Sequence, residues 1–204
     1  NIPDSQITIA SRCQNVHFHP ISPEAMKKWL SNKGLSPDKI ELISIAAGGD
    51  LERANDLISD TQVASRYELW KETPNSIGSE GYKIAVVVDE IQKVIDQAQE
   101  GITLRHQEES EALGELEKQM GIRGSGRKEL EAKHKREIRR FRTDELQFGL
   151  SIIANLYKEE LVEAPNSSNI RAIEKIRSTM VTLGRNPNEK LLLQSLFISL
   201  SEFK

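Results

Sequence analysis

The residues of this chain whose types suit chemistry are few, and most are arginines. Arg12 lies in Ser11-Arg12-Cys13, directly after the alternating stretch Ile7-Thr8-Ile9-Ala10. A guanidinium there can meet negative charge on a partner, or it can be an ordinary exposed loop arginine. Cys13 is the only cysteine and fits a small buried residue better than a nucleophile. His17 and His19 would point the same way on an extended segment and could ligate a metal. No third ligand stands nearby, so a structural or surface role is favoured and no metal is expected. Arg136, Arg139, Arg140 and Arg142 form the densest basic run. They could contact DNA phosphates. The plainer alternative, which we favour, is a solvated helix face paired with nearby acids.

Composition bounds what these residues can belong to. The 204 residues suit one ordinary domain or two small ones. A net charge of -3, with 29% charged residues, gives no global basic character of the kind that announces a nucleic-acid binder. A single cysteine cannot form an internal disulfide, which fits a reducing cytoplasm. No apolar run is long enough to span a bilayer. The chain begins with Asn1 rather than methionine, and we expect it to start inside a larger protein.

The alternation of Ile7 and Ile9 with Thr8 and Ala10 predicts a half-buried strand, the edge of an α/β domain. After it the signals are helical. Ser22-Pro23 and Ser36-Pro37 are N-cap and first-turn pairs. Met26, Trp29 and Leu30 form one apolar face, and Ile40, Ile43 and Ala47 a second, with Leu42 and Ala46 beside it. After Gly48-Gly49, Asp50 caps a third helix carrying Leu51, Ala54, Leu57 and Ile58. A connecting helix is expected from Val63 to Pro74. Ile84, Val87, Val88, Ile91, Val94, Ile95 and Ala98 keep a helical period, which continues thinly through Leu113 and Leu116. The turn Gly121–Gly126 precedes a second long helix, from about Arg127 to Val162. Between Asp89 and Glu117 there are nine acidic and two basic residues; between Lys118 and Arg142 there are ten basic and three acidic. This charge order predicts an antiparallel hairpin, acidic limb against basic limb. Ile170 to Leu183 marks the next helix. Asn186-Pro187 is expected to open the last one, as N-cap and first-turn proline. That helix is apolar on most sides, so Leu192, Leu196, Phe197 and Leu200 are expected either in a core or at a subunit interface.

Three stretches carry a family resemblance. Ser11-Arg12-Cys13 resembles the Ser-Arg-Cys motif of the DNA clamp-loader ATPases of the AAA+ class. Ala47-Gly-Gly-Asp-Leu-Glu-Arg-Ala54 is similar to the Gly-Ser-Leu-Arg-x-Ala stretch of their helical lid. Leu183-Gly-Arg-Asn-Pro-Asn188, with the leucines after it, looks like the end of their collar domain. The resemblance covers nearly the whole chain except the hairpin tip. It implies that Arg12 acts in trans as an arginine finger, in a neighbouring subunit's ATP site. It also places Glu52 where ATP-binding members carry arginine, with Arg53 one place off. A carboxylate would repel phosphate, so no nucleotide or other cofactor is expected here.

The expected fold is mainly α. It comprises a remnant of the AAA+ ATPase domain over 1–20, a three-helix lid over 21–73 and a helical collar with a long hairpin over 74–204. The resemblance implies a cytoplasmic stator-type subunit without ATPase activity of its own, in the machine that loads the sliding clamp onto primer-template DNA. Its implied partners are the delta and gamma/tau subunits, and indirectly the clamp and DNA; no membrane is expected. Two alternatives stand beside it: an active gamma/tau-type ATPase subunit of the same machine, and an unrelated coiled-coil-like helical adaptor.

Overall fold

In the computed structural model of the chain, the described residues are 21–78, 80–121 and 126–203. The strand expected over 7–10, Arg12, Cys13, His17 and His19 lie outside them. Among the described residues there are eight helices and no strand, so the fold is mainly α. They are α1 (Pro23–Ser31), α2 (Pro37–Ala46), α3 (Leu51–Ser59), α4 (Val63–Ser76), α5 (Gly81–Met120), α6 (Arg127–Glu163), α7 (Ser167–Leu183) and α8 (Glu189–Ser201). None is long and apolar enough to cross a membrane.

The chain divides into two compact units, the first ending at Ile58 and the second running from Ser59. The sequence places that division near residue 73. The difference lies in α4, which packs on α5 and α6 and so joins the second unit. Its buried face is Val63, Arg66, Trp70 and Thr73. Pro74 sits in its last turn, where it leaves the Trp70 carbonyl without a helical donor close to the point at which the helix ends.

The first unit follows its caps. Ser22 accepts from the Ala25 N–H, Ser36 from the Lys39 N–H, and both helices carry proline in the first turn. Met26 and Leu30 of α1, Ile43 and Ala46 of α2, and Ala54 and Leu57 of α3 are buried, and α1 packs on α2. Gly48 and Gly49 both have positive φ, 57° and 86°. That conformation strains any side chain, which is why the tight α2–α3 joint is built from glycines.

The second unit is centred on α6. Leu146, Leu150 and Ile153 are fully buried in it, and it packs on α4, α5 and α7. α5 adds Ile84, Val88, Ile91 and Ile95, and α7 adds Ala172 and Ile176. α8 packs on α5 and α7. It does not begin as the sequence suggests. Asn186 is left-handed, with φ 57°, and Asn188 is the N-cap, accepting from the Leu191 N–H at 3.0 Å. Asparagine tolerates the left-handed region, so Asn186 and Pro187 shape the turn and Asn188 does the capping.

Candidate functional site

Three places can be compared with the sequence expectations: the α2–α3 joint, the basic run on α6, and α8.

At the joint, Asp50 Oδ1 accepts from the backbone N–H groups of Glu52 at 2.9 Å and Arg53 at 3.1 Å. This is an N-cap for α3, as its sequence position indicates. Glu52 is exposed. Arg53 turns back, and its Nε donates to the Ala46 carbonyl at 2.8 Å, where the last carbonyls of α2 lack helical partners. Lys39 Nζ does the same for α3, at the Ile58 carbonyl, 2.6 Å away. Two cations thus close the C-terminal ends of two helices inside one small unit. Position 53 reads from sequence as surface charge, and this capping role is not visible there.

The four arginines of the basic run have four different surroundings. Arg142 is largely enclosed. It meets Glu189 of α8 through Nη2 at 2.8 Å, Asp96 of α5 at 2.5 Å, and the side-chain oxygens of Gln92 and Gln99. It ties three helices together, and its guanidinium is not presented to an external phosphate. Acids drawn from α5 and α8 surround Arg142, which agrees with the acid-paired alternative for this one residue rather than with a DNA contact. Arg139 is exposed and donates to the Gly184 carbonyl at 3.3 Å. Arg140 is exposed and lies 3.9 Å from Asp144, one turn on. Arg136 is exposed on the hairpin.

On α8, Leu196, Phe197 and Leu200 are buried inside the unit and Leu192 is half-buried. Of the two places expected for them, the first three are in the core of the unit. α5 and α7 are the helices that pack on α8. The apolar residues α8 leaves exposed are Leu191 and Ile198, 63% and 48% accessible.

The hairpin pairs as its charges suggest, with one reversal. Lys133 meets Glu109 at 3.1 Å, and Arg127 meets Glu117 at 2.5 Å, base of α6 against acid of α5. Arg105 of α5 meets Glu137 of α6, the opposite sense. Between them lies a polar layer. His106 and His134 stack with centroids 3.9 Å apart and planes 10° from parallel. His106 Nε2 is 3.0 Å from Glu137, and His134 Nε2 is 3.1 Å from Glu109. Each histidine therefore pairs with a glutamate of the opposite limb. Hydrogen bonds from His134 and Lys133 hold the Glu109 carboxyl down at about 2. Burial works to raise the Glu137 carboxyl, and His106 and Arg105 more than offset it.

A second polar cluster is buried in the core. Arg66 Nε meets Glu145 at 2.8 Å, each side chain 1% exposed. The other edge of the guanidinium meets both oxygens of Asp60, at 3.3 and 2.5 Å. The pair Arg66–Glu145 is 79 residues apart in sequence. The available signal is positional: Arg66 and His106 both fall on the apolar stripes of their helices, where a charged or polar residue implies a buried partner. Among the described residues no cluster of three or more histidine, cysteine or carboxylate side chains is placed to hold a metal.

No protein-family model, no curated protein and no solved structure matches this chain.

Proposed function

We propose that this chain is part of a stator subunit of a clamp loader, the delta-prime subunit of bacterial DNA polymerase III. The observation that carries the reading is the order of three motifs: Ser11-Arg12-Cys13, the Gly49-to-Ala54 joint, and Leu183-to-Asn188 before the leucine-rich helix. Two features of the fold support it. The second motif opens the third helix of a small three-helix unit, as a lid would have it, and the third leads into the last helix of a larger helical unit. At the joint, Glu52 stands at the position of the lid arginine, and Arg53 is engaged in capping α2. Neither arrangement offers a free guanidinium to a nucleotide phosphate, so the chain takes part in ATP chemistry only through Arg12, in a neighbour's site.

The test uses the full-length protein with delta and gamma/tau subunits. Co-purification is expected, with no tight ATP binding by the isolated subunit. Arg12→Ala should lower the DNA-stimulated ATPase of the assembled complex by about a hundredfold or more while assembly persists. Tight ATP binding by the subunit alone would sink the stator reading in favour of a gamma/tau-type ATPase. Failure to co-purify would leave the helical-adaptor alternative.

A further inference from the structure

The second unit has a polar cavity of about 400 Å³, within the range of small-molecule sites. It is lined by the last turns of α4, by α6 near its end, by the start of α7 and by Phe203. Two of its polar side chains are more than nine-tenths buried: Tyr157, 7% exposed, and Asn169, 6%. The Tyr157 hydroxyl has no hydrogen-bond partner among the described residues. Buried hydroxyls are ordinarily paired, so an unpaired one lining a cavity points to a group that the cavity receives. Asn169 Nδ2 donates to Glu160 Oε2 at 3.4 Å, and this orientation leaves the amide Oδ1 to act as an acceptor. Burial pushes the Tyr157 phenol up, and the nearby Glu160 carboxylate adds to it. Tyr157, Asn169 and Glu160 therefore form one polar group on the wall of the cavity.

The charged residues of the lining are Lys71, Glu72 and Glu160. Lys71 is drawn towards Glu68, 3.9 Å away. Arg171, which does not line the cavity, lies over the Phe203 ring at 5.4 Å. The carboxylates of Glu72 and Glu160 are met by neutral amides, from Asn75 and Asn169, each at 3.4 Å. Neither carboxylate has an ion-pair partner among the described residues. Acceptors and negative charge are thus in excess. A primary ammonium brings three N–H donors, no acceptor and one positive charge, which is what this excess lacks. An anionic ligand would meet two like charges, and a neutral one would leave both carboxylates without a counter-charge.

We propose that this cavity binds a primary ammonium group, held by the Glu160 carboxylate, the Tyr157 hydroxyl and Asn169 Oδ1. Glu72 adds negative charge, and Leu156 and Phe203 offer apolar surface to the alkyl chain that carries the ammonium. The same chemistry recognises a free aliphatic amine and a lysine side chain. The proposal does not rest on the clamp-loader reading.

The test is an NMR titration of the whole chain at neutral pH and constant ionic strength, following the side-chain amide of Asn169. The probes are 1,4-diaminobutane and Nα-acetyl-lysine amide. Saturable shifts are expected with a Kd of about 1 mM for at least one of them, and the tighter probe tells a free amine from a lysine side chain. The uncharged 1,4-butanediol should not bind. Tyr157→Phe and Glu160→Gln should each weaken binding about tenfold or more. Glu163→Gln, an exposed acid outside the lining, should leave it unchanged. Circular dichroism checks that the variants fold; Glu160 is exposed, so Glu160→Gln decides the matter if Tyr157→Phe does not fold. No saturable shift with either amine at about 10 mM, a diol that binds as well as the amines, or a folded variant at Tyr157 or Glu160 that binds as tightly as the parent would each overturn the proposal.

Discussion

Gly149 is set by a contact that leaves no choice of residue. A Cβ there would lie 1.9 Å from Trp70 Cε2 and 2.0 Å from Cδ2. The glycine lets the indole lie flat against the α6 backbone in the middle of the core. Gly149→Ala should cost about 3 kcal/mol, since either the indole or the helix must shift; a urea midpoint unchanged from the parent would refute this. The Arg66 cluster behaves differently. Its partners offset the cost of burying a guanidinium, so removing one leaves charge without its counterpart. Glu145→Ala should destabilise the second unit by about 3 kcal/mol, read from the same titration. Asp60 adds a pH dependence. Burial alone would raise its carboxyl, but Arg66 and the N–H groups of Gln62 and Val63 hold it below the usual 3.8. A carboxyl lowered by folding stabilises the fold above its unfolded value, and that contribution is lost as pH falls through its lowered folded value. Asp60→Asn should flatten the acid limb of the stability curve below about pH 4.

At the scale of elements, the hairpin is the distinctive part. Its proximal half is joined by aliphatic packing and its distal half by ion pairs and the His106–His134 stack. The sign of its acid response follows from Glu109. With the folded carboxyl at about 2 and the ordinary value at 4.5, its contribution is complete above 4.5 and is lost as pH falls towards 2. Glu137 is lowered too and acts in the same direction. Native-state hydrogen exchange should therefore show α5 and α6 opening near residues 106–137 as pH drops through that window, before the core of the unit does. Glu109→Gln should remove most of that slope; an identical slope in the variant would show the stability to come from elsewhere. The α2–α3 joint makes a smaller claim. Arg53→Ala leaves the end of α2 without its guanidinium cap and should cost about 1 kcal/mol in the first unit. A thermal melt that does not move would show the cap to be incidental.

At the scale of the whole chain, the consequence is which surface of each unit is left for partners. α8 illustrates it. Leu196→Glu puts a carboxylate in a position 1% exposed and should unfold the second unit outright. Ile198→Glu, two positions on and half-exposed, should leave folding within about 0.5 kcal/mol of the parent. If the chain is a collar subunit, it is the second substitution that should weaken co-purification with the other subunits. Normal assembly of a folded Ile198→Glu variant would remove this face of α8 from the interface.

The sequence by itself determined the local structure of the described residues closely. Caps, glycines and the 3.6 period are local signals, and they gave α1 to α7 with ends near those seen. The charge order along α5 and α6 also agreed with their antiparallel pairing, since Lys133 and Arg127 of α6 meet Glu109 and Glu117 of α5. What the tertiary structure alone decided was which side of each element faces inward. α8 is apolar nearly all round, so nothing in its own pattern says whether Leu196 or Ile198 is covered; its neighbours α5 and α7 decide that. Arg142 reads as one basic residue in a run of four until α5 and α8 bring Asp96 and Glu189 to it. Arg66 and Glu145, far apart in the chain, find each other only when α4 packs on α6, and that packing also moves α4 into the second unit. Local propensity is written in neighbouring residues, whereas burial and pairing depend on surfaces that only the assembled helices create.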